Sequence, residues 1–263
     1  MVSLQLEGRT VVVTGAGQGQ GAAEARLLVE AGARVIATDL AADVPAELAG
    51  LPSASASAGA GAGLIYRQLD VTDASGWSGL ASWIQAQGWA VDGLVNNAGI
   101  TARSRLLDAS VADLQRVYEV NVAGSLLGIQ ALAPLMGSGS SIVNVGSVAG
   151  LTAHYPAAYT ASKWALRGLS QVAAMELGPH GIRVNTVHPG FIDTPMTAGA
   201  KPEFREATLA ETPLGRTGSV NEVAGVVLFL LSPLSSFVTG AEIPVDGGQS
   251  GHGGAKSVSD ALR

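Results

Sequence analysis

Short runs of apolar, mostly β-branched residues alternate along the chain with longer segments rich in alanine and leucine. Continuous apolar runs are typical of strands that are buried on both faces of a parallel sheet. They predict strands at residues 10–14, 34–38, 64–69, 93–95, 142–145, 183–187 and 241–245. The segments between them predict helices at residues 19–31, 74–87, 111–136, 156–177 and 220–231.

This alternation predicts a single α/β domain over residues 1–263, of the Rossmann type. We expect a doubly wound parallel sheet of about seven strands, with right-handed crossovers and helices on both faces. Residues 52–63 contain only small residues apart from one proline, and predict a flexible surface loop. Residues 250–263 form a polar, glycine-containing tail.

Composition excludes several classes of function. The net charge is −6 and no basic run occurs, so we expect neither nucleic acid nor an anionic membrane as a partner. The chain has no cysteine, which excludes disulfides and thiolate metal sites, and its histidines form no cluster with metal-ligand spacing, so we expect no metal. No secretory signal or membrane-length apolar segment is recognisable, and we therefore expect a cytoplasmic protein.

A glycine-rich turn follows the first predicted strand directly. Gly15, Gly19 and Gly21 are spaced G-x-x-x-G-x-G, with Gln18 and Gln20 between them. Glycines here permit a tight turn and close approach of the backbone to a pyrophosphate, and the next helix directs its N-terminal N–H groups at the phosphates. The turn between a strand and a helix predicts a dinucleotide site.

The second strand leads into Asp39, 18 residues after Gly21. A carboxylate at this place accepts hydrogen bonds from both ribose hydroxyls and repels a 2′-phosphate. Leu40 and Ala41 follow, so no cation is at hand for that phosphate. The sequence therefore predicts NAD, rather than NADP, as the cofactor.

Tyr159 and Lys163 stand at positions i and i+4 of a predicted helix, on one face. A phenol ionises with a pKa of roughly 10, and a neighbouring ammonium favours the phenolate. This pair is a candidate for proton transfer near neutral pH. Polar or glycine-containing segments also follow other strands, where doubly wound folds bind ligands: they are Asp70-Val71-Thr72, Asn96-Asn97-Ala98-Gly99 and Ser147.

Taken together, these residues resemble the short-chain dehydrogenase/reductase family, from Leu6 to about Gly248. The resemblance implies a catalytic set of Asn121, Ser147, Tyr159 and Lys163. It also implies a set of cofactor-binding residues, namely Gly15, Gln18, Gly19, Gln20, Gly21, Asp39, Asp70, Val71, Asn97, Ala98, Gly99, Tyr159, Lys163, Pro189, Gly190, Ile192 and Thr194. Gly146 stands where many members have a second serine, and the interval between Ser147 and Tyr159 is one residue shorter than usual.

The segment 188–215 contains four prolines and several glycines and predicts a long irregular lid over the substrate. The substrate-binding candidates in and around it are Ser147, Leu151, His154, Tyr155, Met196, Phe204 and Leu209. Phe191 is interpreted as a packing residue. Most of these side chains are apolar, and they predict a hydrophobic pocket.

Within the family, the segments 162–170, 188–197 and 239–248 are similar to bacterial 3α/20β-hydroxysteroid dehydrogenases. The resemblance implies NAD-dependent interconversion of a secondary alcohol and a ketone, with a bulky hydrophobic or steroid-like substrate. Two alternatives stay open. One is a 3-oxoacyl-thioester reductase, which is supported only by Arg103 and Arg105 near the cleft. The other is a non-catalytic NAD-binding regulatory protein. The family resemblance also implies a homotetramer, with the apolar helix 220–231 and the last strand at its interfaces.

Overall fold

The sheet has seven strands, all parallel, in the order β3-β2-β1-β4-β5-β6-β7. This computed structural model describes residues 6–54 and 61–262. The strands are β1 (Thr10–Thr14), β2 (Arg34–Asp39), β3 (Gly63–Gln68), β4 (Val91–Asn96), β5 (Met136–Val145), β6 (Arg183–Pro189) and β7 (Glu242–Val245). The predicted Rossmann-type fold class is confirmed.

Helices cover both faces of the sheet. They are α1 (Gly19–Glu30), α2 (Ala74–Ala86), α3 (Val111–Tyr118), α4 (Gly124–Leu132), α5 (Ala157–Leu177), α6 (Pro195–Ala198), α7 (Pro202–Glu211), α8 (Val220–Leu231) and α9 (Ala255–Asp260). Successive residues of β1 point to opposite faces: Val11 and Val13 pack in the core beneath α1 and α8, whereas Val12 packs in the core beneath α2 and α4. This two-sided burial explains why the strands are continuously apolar.

The chain order reverses between β1 and β4, the topological switch point of a doubly wound sheet. The loops that leave the carboxyl ends of β1, β2, β4 and β5 all open at this edge. They carry the glycine-rich turn, Asp39, the segment after Asn96, and Ser147. The fold therefore brings together polar residues that lie more than 100 positions apart in the chain.

The predicted helix 111–136 is wrong as one element. It consists of α3, a five-residue π-helical turn (Glu119–Ala123) and α4, and the strand β5 already begins at Met136. The predicted strand 142–145 is correspondingly too short, because the polar residues before Ile142 pair with β4 and β6. Serines and glycines hid this half of the strand from a search for apolar runs.

The lid and the tail are more regular than predicted. The segment 188–215 begins inside β6 and holds the helices α6 and α7, and the tail holds α9. Residues 52–54 of the small-residue segment lie beside β3, with Ser53 bridged to Leu64, while residues 55–60 fall outside the described part of the chain. Among the described helices, none combines the length and the hydropathy needed to cross a bilayer.

The apolarity of α8 has an explanation inside the monomer. Val223, Val227, Leu230 and Leu231 are buried at or near zero exposure in the core between this helix, α1 and the sheet. Intramolecular packing thus accounts for the hydrophobic pattern from which a subunit contact is predicted.

Candidate active site

A cavity of about 330 Å³ lies at the switch point of the sheet. The predicted cofactor residues that line it are Gly15, Gln18, Gly19, Gln20, Asp39, Asp70, Val71, Asn97, Ala98, Gly99, Tyr159, Lys163 and Thr194. The sequence reasoning missed a further group of lining residues, mostly apolar: Leu40, Leu69, Ile100, Val120, Val145, Gly146 and Pro195. Apolar wall residues carry no local signal that distinguishes them from ordinary core.

The glycine-rich turn is shaped by close packing. Gly15 and Gly19 have positive φ angles of 64° and 57°, which favour glycine. A Cβ atom on Gly21 would lie 2.2 Å from the Gly15 carbonyl oxygen, so only glycine lets α1 approach the turn this closely. Gly21 therefore shapes the cavity without lining it. The start of α1 faces the cavity, where its N–H groups and the positive end of its dipole suit a phosphate.

Asp39 lines the same cavity and is held beside the glycine-rich turn. Its Oδ2 atom accepts a hydrogen bond from the Gly17 N–H at 2.7 Å, and its Oδ1 atom accepts one from the Leu40 N–H at 2.7 Å. A Cβ on residue 17 would lie 2.6 Å from Oδ2, so any larger residue at that position would displace the carboxylate. The glycine-rich turn and the Asp39 carboxylate thus form one unit, and its chemistry fits an adenine dinucleotide.

Three predicted cofactor residues lie elsewhere. Gly190 lines a second, larger cavity, which is described below. Ile192 lines a third cavity beside β7, and Pro189 is buried as the last residue of β6. They connect the end of β6 to Thr194, which does line the cofactor cavity and caps α6 through its hydroxyl. Cofactor contact by these three residues stays a prediction.

Tyr159 and Met196 line both the cofactor cavity and a second cavity of about 520 Å³. Ser147, at the end of β5, lines the second cavity and is 8% exposed. Its hydroxyl oxygen accepts the Ala149 N–H at 3.1 Å and so begins the short helical turn after the strand. The phenol and the serine hydroxyl therefore meet where the two cavities join.

Lys163 and Asn121 are packed behind Tyr159. Lys163 is 4% exposed, and its Nζ atom donates to the Val145 carbonyl at 2.7 Å and lies 5.6 Å from the centre of the Tyr159 ring. A Cβ on Gly99 would approach Asn121 Oδ1 to 3.3 Å and Lys163 Nζ to 3.6 Å. The absence of a side chain at Gly99 thus leaves room for both polar groups, of which Lys163 lines the cofactor cavity and Asn121 lines none of the described cavities.

The π-helical turn places Asn121. The side chain is 1% exposed, accepts the Ile100 N–H at 2.9 Å and donates to the Ile100 carbonyl at 3.0 Å. It also donates to Ser162 Oγ at 3.0 Å, which joins the loop after β4 to helix α5. Asn121 thus braces the wall of the cavity from which Lys163 projects. π-Helical turns of this kind occur often at functional sites.

The ionisation of the pair differs from the expectation that Lys163 lowers the pKa of Tyr159. Burial raises the pKa of the Tyr159 phenol above its usual value of 10, and the hydrogen bond with the Ser147 hydroxyl offsets this only in part. Burial also lowers the pKa of Lys163 to about 8. In this structure desolvation is the largest effect on both groups.

The larger cavity has an aromatic wall. Tyr155 and Phe204 stand with ring centres 5.6 Å apart at 75°, and His154 and Phe191 complete the edge-to-face cluster. Ser147, His154, Tyr155, Met196 and Phe204 line the cavity as predicted.

Other positions in this cavity differ from the predictions. Phe191 was expected to be a packing residue, yet it lines the cavity. Leu151 and Leu209 are not among the lining residues of any of the three cavities described here, so substrate contact by them finds no support. Leu209 directly follows Thr208 on α7, and of these two residues only Thr208 lines the cavity.

Sequence reasoning also missed a set of residues at the entrance and along the loops. They are Thr101, Val148, Ala149, Pro156, Thr197, Gly199, Ala200, Lys201, Thr208 and Gln249. Arg103 and Arg105, on which the alternative of an acyl-thioester reductase depends, line the cavity as well. The sequence signal that places Arg103 and Arg105 near the site is their position four and six residues after Gly99.

Comparison with known proteins gives a consistent result over almost the whole chain. A family model described as "Enoyl-(Acyl carrier protein) reductase" matches residues 15–250. A trans-4-hydroxycyclohexanecarboxylate dehydrogenase from Sinomonas cyclohexanicum is 40% identical over 251 residues, which cover 94% of this chain and 95% of the relative. A 3-alpha-(or 20-beta)-hydroxysteroid dehydrogenase from Mycobacterium tuberculosis is 37% identical over 254 residues, covering 94% and 91%.

A solved structure resembles this one in detail. It is a gluconate 5-dehydrogenase from Burkholderia cenocepacia J2315 in complex with NADP and tartrate. The TM-score is 0.85 at 32% sequence identity, and the match covers 94% of this chain and 97% of that chain.

Proposed function

Since this chain belongs to the short-chain dehydrogenase/reductase family and is an oxidoreductase of secondary alcohols, we propose that it uses NAD and a bulky, hydrophobic alcohol or ketone. The observation that carries this proposal is the position of Tyr159 between the dinucleotide cavity and the aromatic cavity. A group that lines both cavities is in place to move a proton while hydride passes between substrate and cofactor.

Tyr159 has the role of general base in oxidation and of general acid in reduction. The Ser147 hydroxyl lies on the same cavity wall, where it holds the substrate oxygen and stabilises developing negative charge. Bound nicotinamide supplies the hydride chemistry. Lys163 lies on the cofactor side of Tyr159, where its positive charge opposes the effect of burial and favours the phenolate that accepts the proton of the alcohol.

Asp39 supports NAD over NADP. Its carboxylate is oriented by two backbone N–H groups and lines the cavity beside the glycine-rich turn, where it can accept hydrogen bonds from the two hydroxyls of a ribose. A 2′-phosphate there would face a fixed negative charge at short range. Leu40, the next lining residue, offers no compensating cation.

The substrate class follows from the second cavity. Tyr155, Phe191 and Phe204 form an apolar wall, and a volume of about 520 Å³ suits a ring-bearing alcohol. The relatives named for 4-hydroxycyclohexanecarboxylate and hydroxysteroids also act on alcohols of rings. We propose a cyclic secondary alcohol for this chain.

The test is the initial rate of oxidation of cyclohexanol and larger cyclic alcohols with NAD and with NADP. We expect NAD to give a kcat/KM at least about tenfold above NADP, and Asp39→Ala to remove most of that preference. Asp43→Ala, an exposed carboxylate that lines no described cavity, is the matched control and should keep the preference. Tyr159→Phe should lose at least about 100-fold in kcat with either cofactor.

Two outcomes would overturn the proposal. Preference for NADP, combined with turnover of 3-oxoacyl thioesters and not of cyclic alcohols, would favour the acyl-thioester reductase. Binding of NAD in a titration without turnover of any alcohol or ketone in the panel would favour the non-catalytic regulatory protein.

A further inference from the structure

Three cationic side chains line the larger cavity together with its aromatic residues: Arg103, Arg105 and Lys201. All three are exposed at the cavity mouth. Among the described residues that line this cavity there is no aspartate and no glutamate. In a chain whose net charge is −6, this local charge has the opposite sign to the whole molecule.

The position of these cations is tied to the catalytic helix. Ser104, between the two arginines, accepts a hydrogen bond through its carbonyl from the Ala157 N–H at 3.3 Å. Ala157 is the first residue of α5 and lies two positions before Tyr159. The loop that carries Arg103 and Arg105 is therefore anchored to the helix that carries the proton-transfer group.

The three cations differ in their contacts. Arg103 donates through Nη2 to the Met196 carbonyl at 2.6 Å and so joins this loop to the short helix α6. Arg105 lies with its guanidinium 5.8 Å from the centre of the Tyr155 ring. Within the part of the chain that the structure describes, neither Arg105 nor Lys201 forms an ion pair. Arg105 and Lys201 thus remain available to bind an anionic group in the cavity.

We propose that the substrate is a cyclic secondary alcohol that also carries a carboxylate, which Arg105 and Lys201 bind. The ring would lie against Tyr155 and Phe204, the hydroxyl at Tyr159, and the carboxylate at the cationic mouth. The guanidinium of Arg105 suits a carboxylate because it offers a planar pair of hydrogen-bond donors. This inference rests on the proposed function of the site as an alcohol dehydrogenase.

The experiment compares an anionic substrate with its neutral analogue. Initial rates are measured with NAD for 4-hydroxycyclohexanecarboxylate, for its methyl ester and for cyclohexanol. We expect kcat/KM for the acid to exceed that for the ester by about tenfold, as a charged hydrogen-bonded contact would provide. The advantage should shrink as the salt concentration rises, because the contact is near the surface.

Two variants locate the effect. Arg105→Gln and Lys201→Gln should each lower the ratio of kcat/KM for the acid to kcat/KM for the ester by about three- to tenfold. Arg116→Gln is the matched control, since this exposed arginine on α3 lines none of the described cavities. Activity with the ester also reports that each variant is folded.

Equal kcat/KM for acid and ester in the wild-type enzyme would overturn the inference. So would variants that lower both substrates by the same factor. In either case turnover of cyclohexanol would show that the proposed function stands without the carboxylate site. If no cyclic alcohol of any charge were oxidised with NAD or NADP, the proposed function itself would fail, and the inference with it.

Discussion

His188 occupies the space that the missing side chain of Gly146 leaves behind Ser147. The imidazole is fully buried, and Nδ1 lies 2.9 Å from the Ser147 carbonyl oxygen, which can only accept, so Nδ1 carries the proton. Burial lowers the pKa of His188, which keeps the ring neutral. A Cβ on residue 146 would lie 2.7 Å from Nδ1 and 2.9 Å from Cε1. Glycine and histidine are therefore two halves of one packing arrangement.

Introducing a serine at position 146 should disturb the packing of His188 against Gly146. We expect Gly146→Ser to lower the free energy of unfolding by about 1–3 kcal/mol through overpacking and to lower kcat, because the displaced ring holds the backbone of Ser147. The measurements are thermal or denaturant unfolding and kcat for a cyclic alcohol.

The double variant Gly146→Ser/His188→Ala provides the control, because the alanine vacates the space. Its loss in free energy of unfolding should be smaller than the sum of the losses in the two single variants. Strict additivity of the two single effects would contradict the packing explanation.

Glu24 is a second residue whose surroundings decide its chemistry. It is fully buried on α1, and neither carboxylate oxygen has a hydrogen-bond partner in the described part of the chain. Burial raises its pKa from 4.5 to about 8. The side chain is therefore protonated in the native protein at neutral pH, whereas it is ionised in the unfolded chain.

The pH dependence of stability follows with a definite sign. Between about pH 5 and pH 8 the native state binds the Glu24 proton and the unfolded state does not, so the contribution of Glu24 to the free energy of unfolding falls as pH rises, by up to about 1.4 kcal/mol per unit. Glu24→Gln should flatten this slope, as measured by denaturant unfolding across that range. Glu30→Gln, at the exposed end of the same helix, should keep it; identical slopes in wild-type protein and Glu24→Gln would contradict the assignment.

At the scale of elements, the interruption of a helix is what positions a functional side chain. The π-helical turn Glu119–Ala123 lies between α3 and α4, and Asn121 in its centre turns toward the loop after β4. Gly124 and Gly128 then allow α4 to lie close to the sheet, since a Cβ on Gly128 would be 2.9 Å from Asn96 Oδ1. An uninterrupted helix would give Asn121 a different direction.

Asn121→Ala tests this element. The change leaves both the N–H and the carbonyl of Ile100 without their side-chain partner, and we expect a loss of about 1–3 kcal/mol in the free energy of unfolding. Because the same loop bounds the site beside Lys163, kcat should fall as well. Asn221→Ala, at an exposed position of α8, is the control and should change neither quantity. A fully active and equally stable Asn121→Ala protein would rule out the bracing role.

At the scale of the whole molecule, an apolar stripe on α5 remains exposed. Trp164, Val172 and Met175 are 45%, 48% and 69% exposed, and Ala161 and Gly168 continue the stripe at helical spacing. Much of the apolar face of α8 is buried inside the chain, whereas this outer face of α5 is exposed. Subunit contact by α8 and by the last strand stays a prediction. We propose a homotetramer in which α5 helices meet.

Light scattering should give a mass about four times the 26.4 kDa of the chain. Trp164→Glu and Met175→Glu should lower that mass, because each places a charge in an apolar contact. Val44→Glu, an exposed apolar position outside α5, should leave the mass unchanged. A monomer mass for the wild-type protein would refute the assembly.

The sequence alone determined the fold class and most of the cofactor cavity. Strands that are apolar on both faces require a two-sided sheet, and glycines with positive φ or without room for a Cβ, such as Gly15 and Gly21, leave a signal in residue identity. The alternation of apolar runs with alanine- and leucine-rich segments also predicts the ends of the strands and helices at which Asp39, Ser147 and Tyr159 lie.

The tertiary structure decided the rest. The limits of β5 depended on pairing of polar residues with both neighbouring strands, and the direction of Asn121 depended on a π-helical turn. The high pKa of Glu24 and the cationic mouth at Arg105 and Lys201 depend on which surfaces the folded chain brings together. Burial and long-range proximity arise from packing between distant segments, and no local pattern of residues records them.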